Sequence, residues 1–202
     1  MNHALRSVAV LLLLAATGCG PISGSGTPGR KGPDMDMRQG AEKADGILQQ
    51  TLADIKPALR WTHGPSSDIG CSTGNNSGTG TGTVTRRIDV LTIVSKERRG
   101  SLLGVVERNW RSRGLTIASV EAGKEFPAIN AASPDGFQIS VAVGGGGQFE
   151  FSVSTPCYAQ SSVPDPATQP NTPPRKGEYP WRPDIHDDFW SATTPTPSTP
   201  AP

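Results

Sequence analysis

Apolar positions recur at two different spacings along this chain, and each spacing predicts its own element. Between residues 42 and 56, Ala44, Ile47, Leu48, Leu52 and Ile55 fall three or four apart. One apolar stripe on a helix has that spacing, so Glu42–Lys56 reads as a helix, closed by Pro57, which lacks an N–H. Ala58–His63 reads as a short strand with Leu59, Trp61 and His63 on one face. Residues 64–82 hold Gly, Ser, Thr and Asn with almost nothing to bury, and read as a loop. Thr83–Ser95 alternates, with Val84, Ile88, Val90 and Val94 sharing a face with Arg86 and Thr92. From Ser95, a residue type favoured at N-caps, the spacing returns to helical through Leu102, Leu103, Val106 and Trp110 and stops before Gly114. Gly100 and Gly104 weaken that helix, and close approach to a sheet would compensate. Leu115–Val120 is a strand, and Phe126–Ala132 is a further one weakened by Pro127. Phe137, Ile139, Val141 and Val143, then Phe149, Phe151 and Val153, alternate on either side of Gly144–Gly147 and predict a hairpin. The order α-β-β-α-β-(β)-β-β suits an α+β domain over residues 41–158. Two layers are expected, an antiparallel sheet with both helices on one face.

The N-terminal apolar run differs in kind. Val8 to Ala16 is continuously apolar, too short to cross a bilayer and of signal-peptide length. Small residues lead from Ala15 to Gly18, and Cys19 follows. The arrangement resembles a bacterial lipobox, with Ala16 where Leu is usual. It implies a signal peptide over residues 1–18, removed as a lipid, palmitate included, is attached to Cys19, and a protein tethered to the extracytoplasmic face of the cell membrane. An ordinary signal peptide cut near Ala16–Gly18 is the alternative. Residues 19–40, with Pro21, Gly24, Ser25 and Gly26, have the composition of a flexible tether.

Charge and cysteine use narrow the picture further. Lys and Arg number 19 against 18 Asp and Glu, and loss of Arg6 with the signal leaves the two equal. No basic excess points to nucleic acid. In an oxidising compartment Cys71 and Cys157 form an even pair and are expected to form a disulfide; free thiols or metal ligands are the alternative. Residues 159–202 hold 11 of the 19 prolines. That composition predicts a disordered Pro/Thr-rich tail.

Candidate chemistry is sparse. His63, Ser66, Ser67 and Asp68 supply the residue types of a hydrolase within one short segment, but no nucleophile-elbow motif accompanies them. Gly144–Gly147 has glycines enough to cradle an anion. It lacks the lysine and following helix of a phosphate loop, and reads as a turn. Residues 86–113 carry eight basic and three acidic residues. Arg98, Arg99, Arg108 and Arg111 are therefore candidates to face anionic lipid or wall polymer, or to be a solvated helix face. In the tail, Trp181, Phe189 and Trp190 either dock a partner or fold back on the domain. His186 among Asp184, Asp187 and Asp188 lacks the fixed geometry of a metal site, and no metal or cofactor is expected.

The stretch Val94-Ser95-Lys96-Glu97-Arg98-Arg99-Gly100-Ser101-Leu102-Leu103-Gly104-Val105-Val106-Glu107, with Cys19 and the terminal Ser154-Thr155-Pro156-Cys157, resembles small secreted lipoproteins of actinobacteria. The resemblance covers Ala58–Cys157 and implies location and fold, with no activity and no catalytic residue to carry over. The expected function is a non-enzymatic binding or interaction role at the envelope, toward an envelope protein or wall polymer. One alternative is a carrier or sensor of a small apolar or anionic ligand, held near Trp61, Trp110 and Phe137. Another is a hydrolase using His63.

Overall fold

The computed structural model describes residues 35–123 and 125–194. The expectations for the signal peptide, Cys19 and most of the tether lie outside those residues. The first helix, α1 (Met37–Ala53), begins five residues earlier than the apolar stripe predicts. Its start is set by a capping box: the Asp36 carboxylate accepts from the Gln39 N–H at 2.8 Å, and the Gln39 side chain accepts from the Asp36 N–H at 3.0 Å. Gly40, read as linker, is a packing position. A Cβ there would stand 2.6 Å from the Tyr158 ring.

Strands β1 (Trp61–His63), β2 (Ser67–Ser72) and β3 (Gly78–Val90) follow. The expected loop over 64–82 is thus corrected, because β2 and the first residues of β3 pair as an antiparallel hairpin. The hairpin is exposed over most of its length. Backbone pairing and a covalent tie hold it instead of apolar burial, which is why composition concealed it. The tie is the disulfide between Cys71 and Cys157.

Helix α2 (Lys96–Ser112) ends as expected, with Gly114 at φ +79°. Its start differs from expectation. Ser95 is at the N-cap, but its hydroxyl makes no cap and donates instead to the Ala192 carbonyl at 2.5 Å. Strands β4 (Thr116–Glu121), β5 (Ala128–Ala132), β6 (Gln138–Val143), β7 (Phe149–Ser154) and the two-residue β8 (Tyr158–Ala159) complete the sheet. Its order is β1-β3-β7-β6-β5-β4, every pairing is antiparallel, and β2 and β8 also pair with β3.

Register decides which side is buried. Ile88 faces Phe151, Phe151 faces Val141, and Val141 faces Ile129, so one row of apolar side chains crosses four strands. Both helices pack on that face, with Leu48 and Leu52 from α1 and Leu102, Val106 and Trp110 from α2 in the same core. Trp110 Nε1 donates to Thr51 Oγ1 at 3.1 Å, joining the two helices. The opposite face is polar, with Thr85, Arg87 and Asp89 on β3 set against Ser154, Ser152 and Glu150 on β7. This is the two-layer α+β architecture that the periodicity implies.

The tail overturns its composition. Residues 159–194 pack on the domain, in contrast to the expected disorder, and residues 168–172 lie along the β1 edge of the sheet. Asn171 accepts from the Trp61 N–H at 2.8 Å and donates to the Leu59 carbonyl at 2.9 Å, while Thr172 donates to the Trp61 carbonyl at 2.9 Å. Further on, the Ile93 N–H donates to the Ile185 carbonyl and the Ser95 N–H to that of Trp190. Pro-rich chain cannot build its own core, but here it needs none. It covers the edge strand and inserts Trp190, 1% exposed, into the core of the domain.

Candidate functional site

A wide opening lies between α2 and the β4–β5 edge of the sheet. With Leu102, Val106 and Trp110 committed to the core, the neighbouring strip of α2 presents Gly100, Leu103 and Gly104. Opposite stand Val120 on β4, Ile129 on β5 and Pro127 before it, and together they wall a cleft of about 720 Å³. The two glycines leave it open. A Cβ on Gly100 would meet nothing within 4 Å, and one on Gly104 would meet only the Arg108 guanidinium at 3.3 Å. The expectation that these glycines permit close approach to the sheet is therefore corrected: they make room. Val120, half exposed at 50%, offers apolar surface to the opening. Charged side chains, among them Lys96, Arg99, Glu107 and Glu121, form the rim.

A smaller recess of about 330 Å³ adjoins the cleft and shares Lys96, Arg99 and Glu125 with it. Phe126, 56% exposed, and the turn Gly144–Gly147 complete its wall. The turn is closed by the Gly147 N–H donating to the Gly144 carbonyl at 2.9 Å, with Gly147 at φ +80°. Arg99 Nη1 donates to the Glu125 carbonyl at 3.1 Å.

The expected pocket at Trp61, Trp110 and Phe137 does not form, since all three are buried in the core. His63 and Ser66 line one recess, but each is engaged elsewhere and Asp68 is not part of that lining. His63 Nε2 hydrogen-bonds the Thr168 carbonyl at 2.7 Å, and Ser66 Oγ accepts from Arg86 Nη1 at 2.8 Å. Asp68 lies on the exposed hairpin strand β2. Arg86, 2% exposed, has Asp45 as its acidic partner at 3.4 Å. Burial pushes the Asp45 carboxyl above the ordinary carboxylate range, and Arg86 and then His63 pull it back in part.

The four arginines of α2 do not share a face. Arg98 lies four residues before Leu102 and eight before Val106, so it is on the core stripe. It is buried, with its guanidinium 4.7 Å from the Phe189 ring centre. Arg99 borders the cleft, Arg108 is exposed, and Arg111 pairs with Glu107 at 2.8 Å one turn away. Trp181, Phe189 and Trp190 are likewise separated. Trp181 stacks edge-on with Tyr179, whereas Phe189 and Trp190 meet edge-on at 4.8 Å within or against the core. Phe189 and Trp190 are thus parts of the domain, whereas Trp181 is partly exposed. His186 lies 3.8 Å from Asp188 on the surface. Among the described residues no group of three or more His, Cys, Asp and Glu is placed to hold a metal ion.

Two features escaped sequence reading. Asp89 and Glu150 oppose each other across β3 and β7, and burial, then Glu150, pushes the Asp89 carboxyl up to about 7, with Arg87 opposing. Tyr179 from the tail donates to Glu150 Oε2 at 3.0 Å, and its own hydroxyl is pushed up to about 12, first by burial. No sequence signal marks that carboxylate pair, because it depends on register. The cleft did leave a signal, two glycines one turn apart in an otherwise regular amphipathic helix.

No family model matches the chain, and no curated protein matches it. Among solved structures, it is similar to a DUF4853 family protein from Actinomyces odontolyticus, at 12% identity and a TM-score of 0.42 over 67% of this chain and 76% of that one. At that level the likeness transfers no activity, ligand or site residue.

Proposed function

We propose that this protein is an exported, lipid-anchored binding protein of the cell envelope, which holds the apolar chain of a ligand in the cleft between α2 and β4–β5. The observation that carries the reading is that cleft, with Gly100 and Gly104 unfilled and Leu103, Val120 and Ile129 around it. Its 720 Å³ is in the size range of small-molecule sites. Each methylene buried there contributes about 0.8 kcal/mol before the costs of binding. The lipobox-like segment ending at Cys19 supports the location, and a tethered domain meets acyl chains at high local concentration. In this reading the anchor is the lipid on Cys19; no helix among the described residues is long and apolar enough to cross a membrane.

Two measurements test it. Metabolic labelling with a palmitate analogue should mark the wild-type protein and leave Cys19→Ser unmarked; equal labelling removes the anchor. Titration with the uncharged fluorophore N-phenyl-1-naphthylamine should saturate on the wild-type domain. Gly104→Leu, whose side chain enters the cleft, should weaken it tenfold or more at unchanged melting temperature. An absence of saturable binding, or an unaffected Gly104→Leu, removes the cleft as a site.

A further inference from the structure

We infer that the recess beside the cleft is an anion subsite, and that the ligand is a single-chain amphiphile with a carboxylate or phosphate head seated against Lys96, Arg99 and the Gly144–Gly147 turn. This rests on the cleft holding the apolar chain. The two openings adjoin, with Lys96, Arg99 and Glu125 lining both, so a chain in the larger one would bring its head beside the smaller. Read from sequence alone, the glycine turn lacks a lysine and a helix to make an anion cradle. The tertiary structure supplies both from α2, whose first turn carries Lys96 and Arg99.

The recess holds Arg99 in place, whereas Lys96 is exposed. Arg99 is anchored by its Nη1 bond to the Glu125 carbonyl, and its Nε is buried without a hydrogen-bond partner. A Cβ on Gly147 would stand 2.7 Å from Arg99 Nη2, so only glycine lets the guanidinium lie against the turn. Within the turn, the N–H groups of Gly145 and Gly146 have no hydrogen-bond partner among the described residues. The Ser95 hydroxyl, which would ordinarily cap the first turn of α2, is engaged by the Ala192 carbonyl, leaving the positive end of the helix dipole uncapped by that side chain. Glu125 is the acidic residue of the recess wall, and Arg182 Nη1, 3.5 Å from where a Cβ on Gly146 would lie, adds a cation beside Lys96 and Arg99. Gln148 folds over the turn, its amide within 2.5–2.8 Å of where Cβ atoms on Gly144 and Gly146 would lie.

The experiment compares ligands of one chain length and different heads. Dodecanoate, dodecyl phosphate and dodecanol are titrated against the domain loaded with N-phenyl-1-naphthylamine, and inorganic phosphate and dodecyl phosphate are titrated calorimetrically without it. Both anionic amphiphiles should bind at least tenfold more tightly than dodecanol, with a preference that shrinks as salt rises. The double variant Lys96→Gln, Arg99→Gln should lose that preference, read as the ratio of anion to dodecanol binding within the variant itself, and Arg99→Lys should retain part of it. Carboxylate and phosphate heads are separated by which of the two binds more tightly. Inorganic phosphate binding as tightly as dodecyl phosphate would mean a free-anion site and overturn the amphiphile. Equal binding of dodecanol and the anions by the wild type, or an unchanged preference in the double variant, overturns the subsite. Loss of fluorophore binding alone counts against the cleft, and the calorimetric arm still reads the recess.

Discussion

The indole nitrogen of Trp190 donates to the carbonyl of Pro57 at 2.8 Å, joining the tail to the turn after α1. The ring itself is in the core beside Phe189, so the tail belongs to the cooperative unit. Trp190→Ala should therefore destabilise the domain by about 3–5 kcal/mol, the usual cost of removing a large buried aromatic side chain. Urea unfolding followed by circular dichroism checks this. A solvated stalk would show no change.

Asn171 imitates a neighbouring strand for β1, giving one acceptor to Trp61 and one donor to Leu59. Asn171→Ala should cost roughly 1–3 kcal/mol and speed exchange of the Trp61 amide hydrogen. Asn171→Asp keeps the acceptor and loses the donor. It should leave the Trp61 amide protected, a difference that hydrogen exchange resolves residue by residue.

Asp89 is 2% exposed and its carboxyl is pushed up to about 7 in the folded protein, against 3.8 ordinarily. An acid whose pKa is raised by folding contributes stability below its unfolded value and loses it as pH rises through the folded one. Asp89 should thus make the protein less stable between pH 4 and pH 8, by about 2–4 kcal/mol in all. Asp89→Asn should flatten that slope and be the more stable form at pH 8, as thermal unfolding across this pH range would register. An unaltered slope in the variant would assign the pH dependence to other groups.

Cys71 and Cys157 are 86 positions apart and fasten the exposed β2–β3 hairpin to the segment after β7. Reduction, or Cys71→Ser with Cys157→Ser, should lower stability by roughly 2–5 kcal/mol. Exchange should rise first in residues 67–82, where burial contributes little. A uniform rise across the whole domain would mean that the bond acts mainly through the unfolded chain.

Local pattern was enough to specify the two helices, the β6–β7 hairpin, the helix-ending Gly114 and the polar-out, apolar-in alternation of the sheet. These follow from side-chain periodicity and turn chemistry, which act over a few residues. The α1 start was also written locally, in Asp36 and Gln39, but Gly40 hid it by resembling linker. Tertiary structure alone decided the rest. Strand pairing set Asp89 against Glu150, and edge coverage turned a proline-rich tail into part of the domain. The packing of α2 over β4 and β5 left Gly100 and Gly104 bordering a cleft and brought Lys96 and Arg99 to a glycine turn more than forty residues away. Each of these joins residues distant in sequence, and periodicity carries no information about which distant partners meet.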